Sequence, residues 1–76
     1  MKTYYNRPET NVYIMIDNIV NNVVFVNNST NLKNILVMTD NNSFTNFSNE
    51  VTDISKWVSS DEETFNSIVT MLKTMF

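Results

Sequence analysis

The chain has no glycine and fourteen asparagines among its 76 residues. Glycine enters left-handed backbone without steric cost, and many tight turns need such backbone. Among L-residues Asn is the best substitute, because its short amide bonds locally and tolerates positive φ. Tight turns in this chain therefore have to rest on Asn. The doublets Asn21-Asn22, Asn27-Asn28 and Asn41-Asn42 stand near the ends of apolar runs. They read as turn punctuation in preference to an amide-based binding site.

The runs between these doublets read as strands. In residues 12–20, Val12, Ile14 and Ile16 alternate with Tyr13, Met15 and Asp17. Period-two alternation with β-branched residues favours a strand with two distinct faces. Residues 23–26 form a short unbroken apolar run suited to a central strand. After a polar connection over residues 27–34, the run Ile-Leu-Val-Met-Thr at 35–39 is a third strand. Residues 1–11 read as an extended lead-in, because Pro8 biases Arg7 away from helix. Residues 40–43 read as a further turn, and residues 44–47 as a fourth strand or an irregular link.

The pattern then changes period. Over residues 60–76, Phe65, Ile68, Val69, Leu72 and Met75 fall on one helical stripe. Ser60 and Glu63 have the spacing of a capping box. Asp61, Glu62 and Glu63 in the first turn, and Lys73 in the last, complement the helix dipole. Residues 48–59 read as a preceding helix, with Ser48 as N-cap and Val51, Ile54, Trp57 and Val58 on one face. The expectation is a single α+β domain, residues 1–76, of order β-β-β-α-α. It consists of a three-stranded antiparallel sheet with both helices on one face. The other face, carrying Tyr13 and Met15, would then be free to meet a second copy, so a homodimer is expected.

Composition narrows the chemistry. With no His and no Cys, the usual general base, thiol nucleophile and soft metal ligands are missing. Without Gly, a glycine-rich phosphate loop cannot form. The expectation is a non-enzymatic protein with no cofactor and no metal site. Its five basic residues, Lys2, Arg7, Lys33, Lys56 and Lys73, are scattered, and the net charge is −3. Phosphate contacts supply most nonspecific nucleic-acid affinity, so direct nucleic-acid binding is not expected. No apolar run approaches the ~18 residues of a membrane span, and residues 1–8 lack the apolar core of a signal peptide. No membrane association is expected, and the expected location is the cytoplasm of the host cell.

Charge is unevenly spread. Acidic and basic residues balance over residues 1–47, whereas residues 48–63 carry Glu50, Asp53, Asp61, Glu62 and Glu63 against Lys56 alone. A solvated acidic face is the plain reading. The functional reading is a patch that docks on a basic surface under electrostatic steering. The candidate partner-binding residues are Asp53, Asp61, Glu62 and Glu63, with Trp57 between them as an anchor if exposed.

Asn, Ile, Tyr and Phe have AT-rich codons, and Gly, Ala, Arg and Pro, scarce or absent here, have GC-rich ones, which points to an AT-rich coding sequence. In length, acidity, coding bias, strand-then-helix order and the stretch Asp61-Glu62-Glu63-Thr64-Phe65, the chain resembles small acidic phage proteins that inhibit host defence, including anti-CRISPR proteins. That resemblance implies an inhibitor that binds a host protein, such as a nucleic-acid enzyme, through its carboxylates. The alternative is a structural, self-assembling protein that dimerises through an apolar sheet face.

Overall fold

The computed structural model describes every residue except Asn31 and Phe76. Those two, in the expected polar connection and at the end of the expected last helix, lie outside the described residues, as does the side chain of Met75. Five strands form one antiparallel sheet: β1 (Lys2–Arg7), β2 (Val12–Asp17), β3 (Asn22–Asn28), β4 (Lys33–Met38) and β5 (Val58–Ser59), in the spatial order β4-β3-β2-β1-β5. Helix α1 (Asn41–Glu50) precedes β5, and helix α2 (Glu62–Met75) follows it. The three-stranded sheet expected from sequence is thus overturned, and five strands take its place.

The expected lead-in is β1, which pairs with β2 along its whole length, from Lys2 opposite Asp17 to Arg7 opposite Val12. The connection after it is a single 3-10 turn, Pro8–Thr10, closed by Asn11 at φ 51°. In the β2–β3 hairpin Asn21 has φ 56°. Of the three doublets read as turn punctuation, only Asn21-Asn22 supplies left-handed backbone. Asn27-Asn28 closes β3 and Asn41-Asn42 opens α1, while Asn11, outside any doublet, makes the other left-handed turn.

The helices are the larger correction. Residues 40–47 form neither a turn nor a strand. Asp40 is the N-cap of α1, accepting the Ser43 N–H at 2.9 Å. Phe44, Phe47 and Val51 then share one face at steps of three and four. The expected helix over residues 48–59 is absent: α1 ends at Glu50, and turns lead into β5. Past that end, the Asp53 carboxylate takes both the backbone N–H and the hydroxyl of Ser55, bonds that compete with any resumption of helix. The apolar stripe that suggested a helix is also not a buried face, since Ile54 is 91% exposed.

The two helices lie on opposite faces of the sheet. Strand alternation sends Val12, Ile14, Ile16 and Val23 to one side, where they pack with Val51 and Trp57 and with Tyr5, Phe25, Phe44 and Phe47. The other side gathers Tyr4, Tyr13, Met15, Val24, Val26 and Ile35 against Phe65, Ile68, Val69 and Leu72 of α2. The chain crosses between the faces at the β5 edge. Tyr13 and Met15, expected on an open face, are covered by α2, so the open sheet face on which the homodimer expectation rested does not exist. Each layer buries a modest apolar set, which suits a domain too small for one large core.

Candidate partner-binding edge

The crossover places the acidic residues around one edge of the sheet. Glu50 ends α1, Asp53 follows in the turn, β5 pairs with β1 at Tyr5 and Asn6, and Asp61 starts α2. The five candidate residues are not equivalent there.

Trp57 is only 5% exposed and belongs to the core beneath α1. Its indole N–H donates to Glu50 Oε1 at 3.4 Å, and the Arg7 guanidinium lies 6.0 Å from the ring centroid, at the outer range of a cation–π contact. These three residues, with Phe25, Asn46 and Phe47, line an open groove of about 380 Å³. Trp57 therefore braces the groove and offers little surface as an anchor.

Asp53 is exposed, but its charge is locally matched. Hydrogen bonds from Ser55 hold its carboxyl below the usual range, aided by nearby Lys56 and Arg7. The Lys56 ammonium lies 4.0 Å away. A carboxylate so engaged has little net field to offer a partner.

Asp61, Glu62 and Glu63 form the unmatched part. Asp61, and not Ser60, is the cap of α2: Oδ1 accepts the Thr64 N–H at 2.7 Å, which lowers its carboxyl pKa. Glu62 and Glu63 occupy the first turn and are exposed. Among the described residues the only ion pair is Lys56–Asp53, so none of these three carboxylates is paired.

A fourth carboxylate joins them from a distant part of the chain. The Tyr4 hydroxyl is pushed above its ordinary pKa by burial first, then by the fields of Glu62 and Asp17. Asp17 ends β2, on the same sheet face as Tyr4, and reaches this region only through β1–β2 pairing. Period-two alternation could have put Asp17 beside Tyr13 and Met15 on the α2 side, but the register against Tyr4 depends on β1, which was not read as a strand. Beyond Asp17 the β2–β3 hairpin tip exposes Ile19 and Val20, and Met1 lies alongside, its carbonyl accepting the Asn18 N–H. Carboxylates and an exposed apolar tip thus occupy neighbouring parts of the fold.

Among the described residues no group of three or more carboxylates is placed to hold a metal ion, and no helix is long and apolar enough to cross a membrane. The chain matches no protein-family model, and no significantly similar curated protein or solved structure was found.

Proposed function

We propose that the protein is a non-enzymatic binding protein that docks the acidic end of α2, Asp61, Glu62 and Glu63 together with Asp17, on a basic surface of another protein. The observation that carries this reading is that Tyr4, whose ring packs on Phe65 in the first full turn of α2, stands on the same sheet face as Asp17, so that Glu62 and Asp17 both act on its phenol. Two sequence-distant carboxylates act on one spot, and among the described residues none of the four lies within ion-pair distance of a cation, Lys2 being the cation that stands opposite Asp17 in the β1–β2 register. Convergent charge of one sign accelerates encounter with a surface of the opposite sign. The apolar hairpin tip next to it supplies the desolvated contact that charge alone does not. In the manner of the acidic phage inhibitors the chain resembles, the target is a host defence or nucleic-acid enzyme in the cytoplasm, whose phosphate-binding surface is basic.

The test is recovery of partners from a lysate of a low-GC bacterium, comparing the native chain with the double variant Glu62→Lys, Glu63→Lys. The native chain should retain a protein that the double variant loses, and retention should weaken as salt rises, since exposed charges are screened over about 8 Å at physiological ionic strength. Circular dichroism establishes first that the variant is folded. Equal recovery by both proteins would overturn the reading.

A further inference from the structure

The sheet has two edges, and they are built differently. At one edge β5 is only two residues long, so it offers few unpaired backbone groups. At the other, β4 runs six residues with no strand beyond it among the described residues. An edge strand presents unpaired N–H and C=O groups, and proteins blunt such edges with proline, bulges, inward charges or very short strands. β4, Lys-Asn-Ile-Leu-Val-Met, has no proline, and its one charge is at its first residue. Leu36 is 48% exposed on the α1 face, and Val37 is 64% exposed on the α2 face. Both sides of this edge are therefore apolar and unfinished.

We infer that β4 is an interface between two copies of this chain, paired antiparallel into one ten-stranded sheet about a two-fold axis at Leu36. The occupant follows from self-complementarity. A two-fold axis normal to the sheet continues each face of one copy into the same face of the other. The pleat then lets only residues of the same face stand opposite each other, so the axis must fall on a residue and not between two.

Centring on Leu36 pairs it with itself, sets Ile35 against Val37, and sets Asn34 against Met38. Centring on Ile35 would put Lys33 against Val37, and centring on Val37 would put Asn34 against Asp40. The Val37 register also sets apolar residues together at its centre, Val37 against itself and Leu36 against Met38, but it leaves Ile35 opposite Thr39. The Leu36 register instead holds Ile35 and Val37 against each other and leaves Met38 opposite Asn34. It also sets Lys33 of each copy opposite Thr39 of the other, which keeps the one charge of each strand at the ends of the paired segment and out of its apolar centre. This surface is the β4 edge, at the other side of the sheet from β5, and uses none of the proposed acidic docking residues.

The chain has no cysteine, so single cysteines report proximity cleanly. Leu36→Cys should be joined into a covalent dimer by a short bis-maleimide, whereas Ile54→Cys, on a side chain 91% exposed, should stay monomeric under the same dilute conditions. In sedimentation equilibrium the native chain should have twice its 8.9 kDa mass. Val37→Lys, checked for folding by circular dichroism and Trp57 emission, should fall to the single mass. Leu36→Lys repeats the measurement should Val37→Lys fail to fold. A native chain that stays at 8.9 kDa at every concentration, a folded edge-lysine variant that keeps the double mass, or Leu36→Cys crosslinking no faster than Ile54→Cys would each overturn the inference.

Discussion

The rings of Tyr4 and Phe65 meet with centroids 5.4 Å apart and planes tilted by 51°. One ring stands on β1 and the other on the first full turn of α2, so the contact fixes where α2 begins to cross the sheet. Tilted aromatic pairs contribute about 0.5–1.5 kcal/mol beyond their buried area. Phe65→Ala should lower stability by about 3–5 kcal/mol, and Leu72→Ala, at a fully buried site further along the same face, by about 2–5 kcal/mol. Lys73→Ala, at an exposed position, should change little. Denaturant unfolding of the three variants measures this, and a near-neutral Leu72→Ala would remove α2 from the core.

Trp57 is the sole tryptophan and is buried in the same core cluster as Val12, Ile14 and Val51. Its native emission should therefore be blue-shifted and poorly quenched by acrylamide, and should move to the red on unfolding. Trp57→Ala should cost about 3–5 kcal/mol, as large aromatic truncations do. Emission of a water-exposed indole in the native state would contradict the packing beneath α1.

How much of this was legible in the sequence depended on how local the signal was. The α2 stripe is made by residues three and four apart, and it is present where its periodicity places it. β2 and β3 likewise follow from alternation and from an apolar run. β1 was not legible because Lys2–Arg7 mixes polar and aromatic residues, and its strand state comes from pairing with β2, a tertiary effect. α1 was hidden by Asn41-Asn42, which read as a turn, although Asp40 three residues before Ser43 is an N-cap signal.

The misread helix over residues 48–59 shows the reverse error. Val51, Ile54, Trp57 and Val58 have helical spacing, but α1 ends at Glu50, and past that end Asp53 captures the Ser55 N–H. The acidic site was half legible. Asp61, Glu62 and Glu63 are contiguous, whereas Asp17 joins them only through the β1–β2 register, and the burial of Trp57 depends on α1 lying over it.

Acid should destabilise the fold through three carboxylates. Asp40, Asp53 and Asp61 are all held below the ordinary range, Asp40 and Asp61 by the N–H groups of the turns they cap and Asp53 by Ser55. A depressed folded pKa gives stability that is present above the unfolded value and lost as pH falls through the folded one. Thermal midpoints should fall as pH drops below the ordinary carboxylate range and should not change appreciably between weakly acidic and neutral pH. Asp40→Ala and Asp61→Ala should each reduce this acid dependence, and each should destabilise by less than Leu72→Ala. An unchanged acid profile in both variants would show that the caps do not carry it.

Tyr4 offers a reading of the acidic edge that needs no partner. Burial raises its phenol most, and Glu62 and Asp17 add to it by disfavouring a phenolate beside them. A raised folded pKa means stability held below the unfolded value and lost as pH climbs through the folded one. Alkaline unfolding should therefore accompany Tyr4 ionisation. Ultraviolet titration of the three tyrosines should resolve one that ionises late and disappears from the profile in Tyr4→Phe. Glu62→Gln and Asp17→Asn should each bring that transition to lower pH without abolishing it, because burial remains. High salt should do the same in the native chain and have less effect in the double variant, since the field it screens is already gone. If neither neutral substitution moves the Tyr4 transition, Glu62 and Asp17 do not converge, and the docking proposal loses the observation that carries it.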